Sequence, residues 1–176
     1  MKNYQFVNIK EKKNALTDYK RIEFVIKALS KDEIRYALNY IHAKDGYIEA
    51  TDGHRIHRAT ITEAVEPGLY IALKRKYSFY LIPLENTDAK YPNTDSIIGD
   101  AKKAKTKSAK FRFTDENELY KAMYELHKLL DAPVNINYIK PLQGIELRVN
   151  VIRPDSPVLF ENKDLGITSI VMPMRK

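Results

Sequence analysis

The stretch DGYIEATDGHRIHRATI, residues 45–61, contains two Asp-Gly steps, each followed by a short run with strand-forming residues. Glycine adopts positive φ easily and aspartate hydrogen-bonds its own backbone, so both steps predict tight turns between antiparallel strands. His54 and Arg55 follow the second turn directly, which places an imidazole and a guanidinium at a backbone corner. A polar hairpin loop explains most such corners, and a surface that recognises a ligand is the alternative.

The composition is that of a globular protein, and its charge permits an acidic partner. The chain has 176 residues, enough for one domain or two small ones, and 44% of them are hydrophobic. The net charge of +7 is compatible with nucleic-acid binding, and the lack of cysteine excludes disulfides and thiolate metal sites. No apolar run approaches the roughly 20 residues of a membrane span, and the first fifteen residues lack a signal-peptide core. We therefore expect a cytoplasmic protein without membrane association.

The first 61 residues predict a strand, a helix and three further strands. Tyr4–Ile9 is the first strand, and Thr17 is a candidate N-cap for the helix. Ile34–Ile41 is rich in strand formers and precedes the two strands of the Asp-Gly stretch. The apolar residues of the helix recur at the spacing of one helix face, at Ile22, Val25, Ile26 and Leu29.

Three lysines of this first half, Lys20, Lys27 and Lys31, lie about seven and four residues apart on another face of the predicted helix. Ordinary solvated lysines would show the same pattern. The functional alternative is a helix that presents cations to the phosphates of DNA without reading its sequence.

The middle of the chain, residues 62–110, carries weaker signals. Leu69–Leu73 and Ser78–Leu84 predict strands on either side of a basic turn. The stretch AKKAKTKSAK, residues 101–110, has five lysines among small residues, which is typical of a mobile linker. A phosphate-contacting arm is the alternative.

The last third repeats the order of the first. Lys110–Phe113 predicts a strand, and Thr114 starts a helix with an apolar stripe. Three strands follow, and Val158–Phe160 extends one of them. The stripe consists of Leu119, Met123, Leu126 and Leu130, and the strands are Asn135–Ile139, Ile145–Ile152 and Ile167–Met172.

The sequence ends in VMPMRK, residues 171–176, where a proline removes a hydrogen-bond donor from a terminal strand. Flexible methionines beside a cation suit an adaptable protein-binding surface. Together with TDGHR at residues 51–55, this tail resembles the bacterial sliding clamp, the beta subunit of the replicative DNA polymerase. IRYALN at 34–39 is similar to the strand that precedes the corner in that family. YPNTDSII at 91–98 is similar to the end of the family's middle domain.

The resemblance implies a clamp-like α+β fold of two strand-helix-three-strand halves, with antiparallel sheets and the helices on one side. We expect residues 1–61 to form the first half, 62–110 a reduced connector with a basic linker, and 111–176 the second half, together one domain. The chain departs from the family in having about half its length, and in having Gly99 where the family has a proline.

In the family, the corner and the tail wall a hydrophobic cleft that captures short Leu/Phe motifs of polymerases and repair proteins. The resemblance implies the same role here, with Arg55 and Arg175 providing polar contacts. Lys20, Lys27 and Lys31 are the candidate DNA contacts. The implied cleft residues are Leu38, Thr51, Gly53, His54, Arg55, Ile56, Val171, Met172, Pro173, Met174 and Arg175.

Two functional alternatives stay open beside each other. A ring like those of the family, which contain six domains, would need about six copies of this chain around double-stranded DNA. A monomeric peptide-binding module, or a decoy for such peptides, would not encircle DNA. An enzyme is disfavoured, since His54 and His57 are three apart on an extended strand and point to opposite faces. We expect no catalytic residues, no metal and no cofactor.

Overall fold

The computed structural model of the protein describes residues 7–10, 18–32, 34, 36–85, 88–103, 107–130, 133–151 and 156–174. The chain divides into two compact units, Met1–Pro92 and Asn93–Lys176. The boundary lies inside the range 62–110, which the sequence analysis treated as a connector. Among the described residues, no helix has the length and apolar character needed to cross a membrane.

In its described residues, the first unit is an antiparallel sheet with one α-helix. The strands lie in the order β1-β6-β5-β2-β3-β4. A 3₁₀ turn, Tyr36–Asn39, follows the helix in the chain. The helix is α1 (Asp18–Ile26), and the strands are β1 (Val7–Lys10), β2 (Ile41–Lys44), β3 (Tyr47–Thr51), β4 (Arg55–Thr60), β5 (Gly68–Arg75) and β6 (Ser78–Pro83).

The two Asp-Gly turns are confirmed. Asp45 and Gly46 have φ values of 47° and 79°, and Gly53 has 88°, in the region where glycine is favoured. They connect β2 to β3 and β3 to β4, and the second hairpin pairs Thr51 with Ile56. The predicted strands around the basic turn are also confirmed, as β5 and β6.

The predicted strand Ile34–Ile41 is wrong, because local hydrogen bonds compete with strand formation there. Asp32 accepts a bond from the Ile34 N–H through its carboxylate, and its carbonyl accepts one from the Asn39 amide. The segment forms a 3₁₀ turn instead, and Ile34 is 93% exposed.

Helix α1 covers one face of the first sheet and is tied to β4 at both ends. Asp18 accepts bonds from the Thr62 hydroxyl (2.6 Å) and from the Thr62 and Glu63 N–H groups. Burial raises the pKa of Asp18, but these bonds and one from Arg21 outweigh it and hold the pKa below its ordinary value. Further along, the buried His57 ring stacks on Phe24 at 4.3 Å and its Nδ1 lies 2.8 Å from the Phe24 carbonyl.

The second unit has a four-stranded antiparallel sheet with the order β10-β9-β8-β7. The α+β fold class is confirmed, and so are the strands predicted within residues 145–152 and 167–172. Val158–Phe160, predicted to extend another strand, belongs to a separate strand. A short 3₁₀ turn, Lys140–Leu142, follows α4. The elements are α2 (Thr94–Lys103), β7 (Lys107–Phe111), α3 (Glu116–Leu130), α4 (Ile136–Ile139), β8 (Leu147–Val151), β9 (Val158–Asn162) and β10 (Ile167–Val171).

Two predictions in this unit need correction. Asn135–Ile139 is not a strand, because the Asn135 side chain accepts a bond from the Asn137 N–H and caps the short helix α4. The lysine-rich stretch 101–110 is not a linker in its described part, because it forms the end of α2 and most of β7. Helix α2 was not predicted, and it contacts β8 and β9, with Lys102 bonded to Glu161 at 3.0 Å. The expected Thr17 cap and the start of the first predicted strand, residues 4–6, lie outside the described residues.

The buried His57 makes stability depend on pH. Burial lowers the pKa of His57 from 6.5 to about 3. Between these values the unfolded chain binds the proton more readily, so the free energy of unfolding falls as the pH drops from 6.5 towards 3. This one group contributes up to about 1.4 kcal/mol per pH unit.

We expect the substitution His57→Phe to remove that contribution and to flatten the pH dependence. Urea unfolding of the wild type and the variant at pH 7, 6 and 5 measures the contribution of His57. The carboxylates contribute equally to both proteins, so their effect cancels in the difference between the two free energies of unfolding. Equal slopes for the two proteins would contradict the assignment.

Candidate functional site

The corner between β3 and β4 is held by its own side chains. Asp52 Oδ1 accepts bonds from the N–H groups of His54 (3.0 Å) and Arg55 (3.1 Å). Thr51 Oγ1 accepts from the Gly53 N–H and donates to the Arg55 carbonyl at 2.6 Å. These bonds explain why the sequence TDGHR folds as a compact turn, since each polar side chain satisfies a backbone group of the next few residues.

The two basic residues at this corner, His54 and Arg55, differ in exposure. Arg55 Nε donates to Asp52 Oδ2 at 3.0 Å, and both side chains are largely buried. The guanidinium is therefore oriented before any ligand arrives. His54 is exposed on the turn itself. A ligand that reaches the corner would meet the imidazole first and a fixed guanidinium behind it.

The predicted cleft residues Leu38, Thr51 and Ile56 of the first unit are buried. Leu38 is 6% exposed and Ile56 is 5% exposed, while Thr51, which pairs with Ile56 across the strands, is 4% exposed. The 3₁₀ turn that carries Leu38 contacts β3. These three residues form the packed base of the corner, and Gly53 and His54 form its exposed tip.

Sequence reasoning missed the polar network that supports the corner from the sheet face opposite α1. Glu49 is fully buried, and its Oε2 accepts bonds from Arg58 Nε (2.9 Å) and Nη2 (2.7 Å). Its Oε1 lies 2.8 Å from His42 Nδ1, and Tyr91 stacks on the His42 ring at 4.5 Å. Burial, with the nearby Glu49 carboxylate, raises the pKa of Tyr91, so its hydroxyl stays protonated. The signal available in the sequence was the alternation of charged and apolar residues along β3 and β4.

The C-terminal tail leaves the sheet of the second unit at its proline. Val171 is fully buried as the last residue of β10, whereas Met172 and Met174 are 38% and 47% exposed. Pro173 cannot donate to the ladder, which explains the end of the strand. The Met174 N–H instead donates to the Pro133 carbonyl at 2.8 Å, so the tail is held beside residue 133. Arg175 lies outside the described residues.

A small pocket of about 190 Å³ opens beside the point where the tail is held. Its walls are apolar except for one imidazole. The pocket is lined by Met123, Leu126, His127, Pro133 and Val134. The second unit thus offers an exposed pair of methionines next to a pocket that fits a small apolar side chain.

The three candidate DNA contacts are exposed, but they do not share a helix face. Lys20 lies on α1, and the helix ends at Ile26. The N–H groups of Ala28 and Leu29 bond three residues back, which tightens the last turn and closes the helix. Lys27 and Lys31 therefore lie in the segment that follows, and the prediction of one lysine-bearing helix face is wrong for them.

The histidine pair is not a metal or catalytic arrangement. His57 points into the core beside Phe24, whereas His54 is exposed on the turn. A search of the described ranges finds no group of three or more histidine, aspartate or glutamate side chains that could hold a metal ion.

Solved structures reveal what the chain resembles. The beta subunit of DNA polymerase III from Borrelia burgdorferi matches over 99% of the chain, with a TM-score of 0.64 and 14% identity. The Bacillus subtilis sliding clamp matches over 100% of the chain, with a TM-score of 0.62 and 15% identity. The H. pylori beta clamp also matches over 100% of the chain, with a TM-score of 0.63 and 12% identity. The chain has the fold of the bacterial sliding clamp. The resemblance expected from the corner and the tail is thus confirmed as a likeness of fold.

The match is partial with respect to the clamps. The chain spans 65% of the B. burgdorferi clamp, 66% of the B. subtilis clamp and 68% of the H. pylori clamp. No family model matches the sequence, and no curated protein matches it either. At these identities the comparison establishes the fold alone. It assigns no role to the site residues of this chain.

The corner geometry predicts that Asp52 is structural. The substitution Asp52→Ala removes three hydrogen bonds, and we expect it to lower the free energy of unfolding by about 1–3 kcal/mol. Asp52→Asn is the matched control, because its amide oxygen still accepts from the two backbone N–H groups and should retain most of that stability. Urea unfolding measures both variants, and wild-type stability in Asp52→Ala would contradict the account of the corner.

Proposed function

We propose that this protein is a reduced sliding-clamp-like protein of DNA replication or repair that binds short peptide motifs of polymerases and repair proteins. The observation that carries the proposal is the occurrence, in one chain with the clamp fold, of a self-bonded TDGHR corner and an exposed methionine tail. No catalytic activity or cofactor is part of the proposal.

The peptide-binding residues proposed are those of the corner and the tail. Met172 and Met174 are exposed and unbranched, so they can repack around apolar side chains of different shape. Arg55 is preoriented by Asp52 and can donate to a carboxylate or carbonyl of the peptide at little entropic cost. His54 shapes the tip, and Arg175 is the second cation in the proposal.

A peptide complex of micromolar affinity requires both apolar and polar contacts. Burial of one leucine and one phenylalanine side chain is worth roughly 3–6 kcal/mol before ordering costs. A micromolar complex needs about 8 kcal/mol. Apolar anchors alone fall short, so polar contacts from the arginines must supply the remainder.

We expect a peptide with adjacent Leu and Phe to bind with micromolar affinity. Met174→Ala should weaken binding about tenfold, and deletion of residues 172–176 should abolish it, since a core of anchor residues dominates such interfaces. Isothermal titration calorimetry measures all three proteins.

The matched controls are Tyr77→Ala, which removes a side chain 60% exposed in the β5–β6 hairpin, and a peptide with both anchors replaced by alanine. The first should bind as wild type does, and the second should not bind. Equal affinity of the wild type, Met174→Ala and the truncated chain would refute the peptide-binding proposal.

DNA is the second proposed partner, bound through its phosphates. The charge of +7 and the exposure of Lys20, Lys27 and Lys31 support this. The contact would be independent of DNA sequence and sensitive to salt, with affinity falling about 0.9 log unit per log unit of salt for each phosphate neutralised.

The triple substitution of Lys20, Lys27 and Lys31 to glutamate should abolish binding to double-stranded DNA and flatten the salt dependence. Fluorescence anisotropy at several salt concentrations measures it. The triple substitution of Lys90, Lys140 and Lys163, which are also exposed, makes the same change in net charge and is the control. If both triple variants lose the same affinity, general charge binds DNA and these three lysines are not the contact.

A monomeric module is the second candidate. It would bind the same peptides without encircling DNA. Light scattering with and without DNA separates the two, because the ring requires an oligomer and the module does not.

A further inference from the structure

A groove of about 590 Å³ lies between helix α3 and strand β7 in the second unit, and neither function proposed above uses it. Its floor is apolar and comes from the sheet and the helix together. The floor is formed by Ala109, Phe111 and Val149 of the sheet and by Ala122, Leu126 and Leu129 of α3.

One side of the groove is the outer edge of a sheet. Within the described part of this unit, β7 pairs with β8 and has no strand on its other side. Edge strands are commonly protected from further pairing by lysines. Here Lys110 pairs in register with Arg148, and its ammonium lies 3.8 Å from Glu146. Ala109 and Phe111 line the groove together with Lys110, and the outer edge of β7 is left open to another strand.

The other side of the groove is an apolar stripe of α3 that the core covers only in part. Leu119 and Leu126 are 3% and 2% exposed, one above the other on the helix. Ala122 and Leu129, on the same stripe, are only half-buried and line the groove. A helix that follows the usual pattern buries such a stripe completely. The uncovered half indicates a surface that a further element completes.

The rim of the groove attracts acidic groups. Arg112 and Lys121 line it, are exposed, and form no ion pair with any residue the structure describes. The two carboxylates of the rim are engaged. Glu118 accepts two bonds from Thr114, and Glu125 bonds to Lys128 at 3.1 Å. The lining of the groove thus carries three cations, Lys110, Arg112 and Lys121, against the two carboxylates.

We propose that the groove between β7 and α3 binds an extended segment of a partner protein that alternates apolar and acidic residues. The segment adds a strand to β7, places its apolar side chains over Phe111 and Leu126, and directs its carboxylates to Arg112, Lys121 and Lys110. Backbone pairing provides affinity, and the alternation of side chains provides specificity.

Charge argues against a second copy of this chain as the occupant. The first strand and the residues after it, VNIKEKK at 7–13, contain three lysines and one glutamate. Such a strand would place like charges beside Arg112 and Lys121. A partner with acidic residues in these positions matches the rim.

The test uses two dye-labelled octapeptides, one alternating valine with glutamate and one alternating valine with lysine, added to the full chain. Fluorescence anisotropy should show binding of the Val/Glu peptide at least tenfold tighter than the Val/Lys peptide. Hydrogen exchange at residues 109–111 should slow when the Val/Glu peptide is bound, because the edge amides of β7 become paired.

Two variants localise the site. Arg112→Glu with Lys121→Glu changes exposed residues only, and it should weaken the Val/Glu peptide about tenfold and favour the Val/Lys peptide. Ala122→Trp fills the groove and should abolish binding of both. The control is Lys90→Glu with Lys140→Glu, which makes the same charge change outside the groove and should have less effect.

Three results would overturn the proposal. The first is equal binding of the two peptides, and the second is binding that survives Ala122→Trp without a change in exchange at residues 109–111. The third is self-association of the chain, measured by sedimentation, that Ala122→Trp abolishes, because the occupant would then be a second copy.

Discussion

Strand β4 is fixed by buried polar contacts on both of its faces, and the position of the corner between β3 and β4 depends on this. On one face His57 stacks on Phe24 and bonds its carbonyl, and on the other Arg58 holds the buried carboxylate of Glu49. Removal of one partner from a buried pair costs about 3–5 kcal/mol, because the remaining charge stays without compensation. The register of the β3–β4 hairpin is therefore strongly specified. The corner at the end of this hairpin is therefore held in one position as well.

The two candidate surfaces use opposite strategies for recognition. The corner is preorganised, since Asp52 and Thr51 satisfy its backbone and orient Arg55 before a ligand is present. The tail is adaptable, since Met172 and Met174 are exposed and the tail leaves the ladder of β10 at Pro173. A rigid polar corner selects orientation, and a soft apolar tail tolerates different side chains.

The sequence was informative where local chemistry decides the structure. The Asp-Gly turns, the apolar stripe of α3 and the strand around Ile167 were predictable, because turn residues and periodicity act over a few positions. Sequence reasoning failed where a few side-chain bonds overrode propensity, as at Asp32 and Asn135. It missed the Glu49 network, because partners seven and nine residues apart meet only through strand register. TDGHR was predictable as a site through resemblance, but the tether of Arg55 to Asp52 was not.

The most direct test of the account is to observe the methionine methyl groups while a peptide binds. The chain has four methionines, so carbon-13 labelling of their methyl groups gives a simple NMR spectrum. On addition of a peptide with adjacent Leu and Phe, the account predicts that the Met172 and Met174 methyl signals shift together with the backbone amides of Gly53 and His54. Shifts confined to other residues, or none at saturating peptide, would contradict the claim that this clamp fold binds peptides through its corner and its tail.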